Sequence, residues 1–439
     1  MDELYIENVR CFHLRQSAPL SPITVLVGEN STGKTTFLAL ARIAWDLAQG
    51  NVHVDFNEEP FQLGTYDEIA NYRGGKAGRA KSFMVGTITN IQKRAEPIVP
   101  GDTIEFRCRI VGAGAQPRVD TWTLCCDPYK VEISYDESNN MWELVLTTPS
   151  CTIPLPDMPW LGFRTSPIVP YLAELLPMLL EGSFSGRKKR KIADLIPVNE
   201  LTMLQSMLHE FYYALGPRPY AFAPIRSRPQ RTYDPFKDVP RPEGSHVPMI
   251  LAKTFFASPA LGHQLRTALD AFGKSSGLFS DVEIHRLGRK QSDPFQVQVK
   301  VAGPAFNLVD VGYGVSQVLP IVVDSLSEPE GTTFLLQQPE VHLHPSAQAE
   351  LGTFLALLAT QGKKRFLIET HSDYLLDRIR MDVRDGHVQP TDVSVLYFER
   401  ERSEINIRTL RLDTDGNLLD VPSSYRQFFL REEQRFLGI

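Results

Sequence analysis

Apolar residues are spaced in different ways along this chain, and the changes mark its organisation. Residues 4–9 and 23–27 are short β-type runs, and the second leads directly into GENSTGKTT and an apolar stretch, 37–47, with helical spacing. The pattern predicts strand, glycine loop, helix. Between residues 81 and 148 come FMVGTITNI, TIEFRCRIV, VDTWTLCC, KVEISYD and WELVLTT, separated by Gly, Pro, Asp and Asn, which predicts an antiparallel β subdomain. Residues 167–215 turn helical, with PYLAELLPMLLEG and ELTMLQSMLHEFYYAL predicting an arm or lid. The stretch AFAPIRSRPQRTYDPFKDVPRP is too rich in Pro for regular structure and too apolar for a disordered linker, so an ordered loop is expected. Beyond residue 282, TFLLQ, RFLIE and SVLYFE alternate with helical segments, as a parallel sheet requires. The expected division is a core half with the glycine loop (1–80), an antiparallel β subdomain (81–160), a helical arm with the Pro/Arg-rich loop (161–280) and a second core half (281–439).

Composition narrows the function. A chain of 439 residues is long for one domain, and a formal charge of -6 argues against a general basic coat while leaving room for a local basic face. Five cysteines without CxxC spacing indicate neither a disulfide framework nor a zinc site, which fits a reducing cytoplasm. MDELYIENVRCF lacks the charge and apolar core of a signal segment, and no window approaches the roughly 18 apolar residues of a membrane span, so a soluble, unprocessed, cytoplasmic protein is expected.

The chemistry concentrates in four motifs. Gly28, Glu29, Asn30, Ser31, Thr32, Gly33, Lys34 and Thr35 fit GxxxxGK[ST] between a predicted strand and a predicted helix. Its glycines let backbone N–H groups curl around phosphates, Lys34 reaches the β- and γ-phosphates, and Thr35 is placed to ligate Mg²⁺, so Gly28, Asn30, Ser31, Thr32, Gly33, Lys34, Thr35 and Thr36 are candidates for binding ATP. A P-loop ATPase needs a second strand next to the first, ending in carboxylates that hold the metal's water shell and activate the attacking water. Thr333–Gln337 is the expected strand, but Gln337 and Gln338 stand where those carboxylates belong. An amide oxygen holds metal-bound water, so Gln337 joins Thr35 as a metal candidate; Gln338 orients water but takes no proton, leaving Glu340 and Glu369 as the nearest substitutes.

DVGYGVSQVLP, twenty residues earlier, sits where ATP-binding-cassette-like proteins carry a glycine-rich signature opening a helix. Gly312, Gly314 and the Ser316 hydroxyl are expected at the γ-phosphate of a partner subunit. In ETHSD, His371 is placed to sense the γ-phosphate, which completes a catalytic set of Lys34, Gln338, Glu340 and His371. No Cys or His cluster supports metal binding by His342 and His344. The run Arg187, Lys188, Lys189, Arg190 and Lys191 reads either as a solvated face or as a DNA contact. Arg226, Arg228 and Arg231 either line a phosphate or partner surface or fix the Pro-rich loop by hydrogen bonding.

VGENSTGKTTFL, DVGYGVSQVLPIV, LLQQPEVHLHP and IETHSDYLLDRIR, in this order, resemble the SMC-like, OLD-like AAA ATPases of bacteria, and the likeness extends to residues 223–233 and 413–422. The resemblance implies an α/β, ABC/SMC-type P-loop ATPase head with a mixed sheet, an antiparallel β subdomain and a helical insertion. It also implies a homodimer or higher oligomer in which Lys34 and Thr35 of one head face Gly314 and Ser316 of the other across ATP and Mg²⁺. After Pro390 about fifty residues remain, too few for the nuclease domain that follows the ATPase in OLD nucleases, so an effector is expected on a separate chain. The role implied is the ATPase sensor or scaffold of an anti-phage defence system. The rivals are a DNA-end-binding repair ATPase of the SMC/RecF type and a module that keeps nucleotide as structure.

Overall fold

The structure is a computed structural model, and it describes residues 1–51, 53–75, 77–91, 103–138, 141–155, 169, 172–173, 176, 196–235, 239–257, 259–290, 292–402 and 404–425. The chain divides into two compact units, each assembled from separate stretches of sequence: 1–20, 31–218 and 399–407 form the first, and 21–30, 219–398 and 408–439 the second.

The first unit is built on an eight-stranded antiparallel sheet, in the order Gln16–Pro19, Glu3–Glu7, Ser82–Asn90, Thr103–Ala113, Gln116–Cys126, Tyr129–Asp136, Met141–Thr147 and Thr152–Leu155. Alternation sets its faces: in Thr103–Ala113, Ile104, Phe106, Cys108 and Ile110 are buried while the residues between them are wetter. The strand at 3–7 pairs with Ser82–Asn90 in register Tyr5↔Gly86, so the N-terminal hairpin belongs to this sheet. Helices Lys34–Ala48 and Val198–Leu215 pack into the same core. Trp122 donates its indole N–H to the Leu47 carbonyl at 2.8 Å, and Phe106 lies against Phe211.

The second unit holds a parallel sheet in the order Tyr220–Ala221, Thr333–Gln337, Arg365–Glu369, Ile23–Gly28 and Val393–Glu401, the last followed here to Phe398. This corrects one expectation. Thr333–Gln337 is not next to the glycine-loop strand; Arg365–Glu369 lies between them, with register Gln337↔Glu369 on one side and Glu369↔Leu26 on the other. Strand adjacency is set by how helices cross over the sheet, and local sequence pattern does not report it. Inner strands read as unbroken buried runs, as in Phe334 to Gln337 and Phe366 to Glu369, because parallel strands are covered on both faces. Phe334 stacks between Phe222 and Phe366 across three neighbouring segments. Helices Val247–Ala257, Pro259–Ser276, Tyr313–Ser327, Pro345–Thr360 and Asp373–Arg384 and a small antiparallel sheet, Asp281–Arg286, Phe295–Lys300 and Ala305–Asn307, complete this unit.

Candidate functional site

The P-loop begins at the end of the Ile23–Gly28 strand. Gly28 has φ 142°, and a Cβ there would meet the Phe398 carbonyl oxygen at 2.6 Å, so only glycine leaves the strand this way. Ser31 (φ 61°) and Gly33 (φ 89°) turn the chain, and a Cβ on Gly33 would lie 2.7 Å from Cys11 Sγ and from the Phe12 ring. Gly33 is the N-cap of helix Lys34–Ala48, with no side-chain cap and no acidic residue in the first turn, which leaves the helix start suited to an anion. Glu29, Asn30, Ser31 and Thr35 are exposed, Thr32 and Lys34 are buried, and Arg400 donates to the Ser31 carbonyl at 2.9 Å. Thr36 is buried and its hydroxyl accepts from Arg10 at 3.0 Å, which ties it to the N-terminal hairpin. The cradle that a side chain would fill, the uncapped helix start and the cation at its first position fit an ATP phosphate chain.

The loop after Thr333–Gln337 is tightly made. Gln338 sits at φ 43° and donates its N–H to the Glu369 carbonyl at 2.7 Å. Glu340 is 8% exposed, and its Oε1 accepts the His371 backbone N–H at 2.8 Å, which brings the amide loop and the histidine loop together. Burial pushes the Glu340 carboxyl above the ordinary glutamate range, opposed by the His371 bond and the Arg226 charge. Glu369 is buried opposite Gln337, and the His371 residue is exposed. Gln337 is buried, and its Nε2 has no hydrogen-bond partner among the described residues. Its amide and the Thr35 hydroxyl are hard oxygen donors, the chemistry Mg²⁺ takes, although Gln337 adds no charge.

The glycine-rich segment opens helix Tyr313–Ser327 with Gly312 as an uncapped N-cap. Gly312 and Tyr313 are exposed, and Gly314 packs so closely that a Cβ would meet the His342 carbonyl oxygen at 2.8 Å. Ser316 is buried and donates to the Tyr313 carbonyl at 2.8 Å, so backbone N–H groups, rather than that hydroxyl, are what the segment presents. His344 caps helix Pro345–Thr360, accepting from the Ser346 N–H, while His342 stands edge-on to Tyr313.

Arg231 pairs with Asp310 through two bonds of 2.7 and 3.0 Å, fixing the Pro-rich loop beside the segment that opens at Gly312. Arg226 behaves differently. It is 1% exposed, whereas the apolar Ile225 before it is 72% exposed. Burial lowers its pKa to about 10, against the pull of Glu340. Sequence reasoning paired Arg226 with its exposed neighbours; the only local hint was its place directly after the apolar run YAFAPI. The basic run Arg187 to Lys191 lies outside the described residues. Among those described, no helix is long and apolar enough to cross a membrane.

The fold is α/β, with a parallel sheet that carries the P-loop strand in one unit and an antiparallel sheet in the other. Solved structures similar to the chain include the Smc head domain with an extended coiled coil bound to the C-terminal domain of ScpA from Pyrococcus furiosus (9% identity, 99% of each chain, TM-score 0.45). The SMC head domain from Thermotoga maritima aligns at 10% identity over 93% of this chain and 98% of that one, TM-score 0.42. The SmcHead bound to the C-winged helix domain of ScpA does so at 11% identity over 94% and 98%, TM-score 0.44. None of the curated proteins matches the chain. Residues 252–377, which hold Gly312 to Ser316, the amide loop and His371 but not the P-loop, match the family described as "AAA domain, putative AbiEii toxin, Type IV TA system".

Proposed function

We propose that this protein is a slow ATPase that works as a dimeric, ATP-driven switch. The observation that carries the reading is the Gly28 to Thr35 loop, whose glycines stand where any side chain would collide and whose helix start is uncapped beside Lys34. Lys34 and the loop N–H groups bind the phosphates of ATP. Thr35 and Gln337 would hold Mg²⁺, which supplies positive charge to the transferred phosphate. Glu340 takes the proton of the attacking water, and Gln338 and His371 orient that water and the γ-phosphate. The uncapped N-terminus at Gly312 receives the γ-phosphate bound on a second copy, so neither head completes a site alone. The matched family's description, "AAA domain, putative AbiEii toxin, Type IV TA system", supports an AAA-type ATPase domain; the place in a defence system, with this chain as sensor or scaffold and a separate effector chain, is the further step of this proposal.

Gly312→Glu tests the assembly. A Cβ there meets nothing within 4 Å, so the change places negative charge at the proposed phosphate contact without crowding the fold. The expected result is a folded protein that binds ATP but neither dimerises with it nor hydrolyses it. ATP-dependent dimers that persist in Gly312→Glu would sink the sandwich. DNA-stimulated turnover would favour the repair ATPase instead.

A further inference from the structure

The part of the P-loop that belongs to the first unit, from Ser31 onward, is gripped by residues far from it in sequence. Arg400 lies at the end of strand Val393–Glu401, where burial stops: Phe398 and Glu399 are buried, Arg400 and Glu401 exposed. Its Nη2 donates to the Ser31 carbonyl at 2.9 Å, across 369 positions of chain. Cys11 Sγ donates to the next carbonyl, that of Thr32, at 3.8 Å. Arg10 Nη1 reaches the Thr36 hydroxyl at 3.0 Å, so the grip extends into the helix.

Two consecutive peptide groups are therefore held by their oxygens. A trans peptide points its C=O and N–H in opposite directions, so the Thr32 N–H is turned away from Arg400 and the Gly33 N–H away from Cys11. These are backbone donors of the kind that line an anion-binding nest. The conformation needs such support. Ser31 has φ 61°, in the left-handed region that an L-residue seldom occupies and keeps only where its surroundings fix it.

The two grips on the carbonyls are unequal. A thiol is a weak donor, and burial pushes the Cys11 thiol up to about 11, which keeps it neutral. A guanidinium carries its charge into the bond and makes it roughly twice as strong as one between neutral groups. Arg400 also stands on a firm base. Residues 393–398 run in parallel register with 23–28, ending at Phe398↔Gly28, and Arg400 follows that last pair by two residues.

We propose that Arg400 is the positioning residue of the P-loop, holding the Ser31 carbonyl so that the loop's N–H groups are set for phosphate before a nucleotide arrives. The inference rests on the reading of Gly28 to Thr35 as the phosphate cradle of ATP. A cradle shaped in advance lowers the ordering cost of binding and leaves the chemistry of bound ATP to other groups. The effect of Arg400 thus falls on affinity, through a backbone carbonyl, and not on the hydrolytic step.

The test combines calorimetric ATP affinity, steady-state hydrolysis, and amide hydrogen exchange of the 31–36 segment in nucleotide-free protein. Arg400→Met, which keeps the length and removes the charge and the fork, is expected to weaken ATP affinity and raise KM about tenfold, with kcat within about twofold. Exchange at 31–36 should be faster in that variant without nucleotide, while the melting temperature stays close to that of the wild type. Arg400→Lys, which restores the charge but not the planar fork, should lose about threefold in affinity. Unchanged affinity in Arg400→Met, a loss in kcat alone, or wild-type exchange at 31–36 would each overturn the proposal. So would full affinity in Arg400→Lys together with a defect in Arg400→Met that vanishes at high salt, since Arg400 would then act as a distant charge. If Arg400→Met does not fold, Arg400→Lys decides, and wild-type affinity in that variant overturns it. Lys34→Ala separates this failure from that of the parent reading. Unchanged ATP affinity there removes both, whereas lost binding in Lys34→Ala with full affinity in Arg400→Met removes this inference alone.

Discussion

The P-loop and the amide loop ending at Glu340 do their work by opposite means. In the first, backbone geometry supplies the binding groups, and the side chains that matter are small or absent: Gly28 and Gly33 are required because a Cβ would strike Phe398 or Cys11. In the second, the proposed active parts are buried side chains, and Gln337 Nε2 has no hydrogen-bond partner among the described residues. Backbone sites tolerate little substitution but need few partners. Side-chain sites depend on distant neighbours, here Arg226 and His371.

The largest effect should come from removing the one side-chain cation of the P-loop. Lys34→Ala is expected to lower ATP affinity by on the order of 100-fold, the loss of a charge-assisted contact to phosphate, in a calorimetric titration. Glu340→Gln should next reduce turnover by about 10² to 10⁴ with ATP affinity retained, the value of a general base. Fast turnover that survives both Glu340→Gln and Glu369→Gln would show that the side-chain loop is not the seat of catalysis. Restoring a carboxylate sharpens the same contrast: Gln338→Glu should raise hydrolysis above a wild-type rate that lies well below about 10 s⁻¹. A rate unchanged by that substitution would leave Gln338 without a role in the chemistry.

Acid dependence separates the two loops further. Glu340 must be ionised to accept a proton, and burial raises its pKa, so activity should fall as pH drops through a value above the usual 4.5 while ATP binding persists. An acid limb at or below 4.5 in the rate profile would contradict this. The smallest effect is structural. Ser372 caps helix Asp373–Arg384 through a 3.1 Å bond from Leu375 N–H, and Ser372→Ala should cost about 1 kcal/mol in urea unfolding, with His371 chemistry little changed.

The contrast also explains what sequence can tell. Gly28 to Thr35 announces a strand, turn and helix because glycine, hydroxyl and lysine spacing is a local statement of backbone shape. The periodicity of residues 103–113 likewise states which face is buried. Local pattern does not state that Arg365–Glu369 lies between the P-loop strand and Thr333–Gln337, since crossover order is a property of the assembled sheet. Nor does it state that Arg226 is buried and Ile225 exposed, because the contacts around this stretch are non-local, as in the Arg226 backbone N–H bond to Gln317, 91 positions away. Ser316 is a milder case: its hydroxyl is spent on Tyr313 inside the helix, an alternative open to any serine in a first turn.

The placement of Ile23–Gly28 has a consequence for how the chain is made. This central strand is flanked by Arg365–Glu369 and Val393–Glu401, partners roughly 340 to 370 residues further along, so its pairing is among the most non-local contacts a chain of this length can form. At synthesis rates of about 5–20 residues per second, a nascent chain holds this strand, apolar on both faces, without its neighbours for on the order of tens of seconds. The strand that leads into the P-loop is thus made well before either of its partners and secured only when both have followed, which makes it a natural point for chaperone engagement during translation.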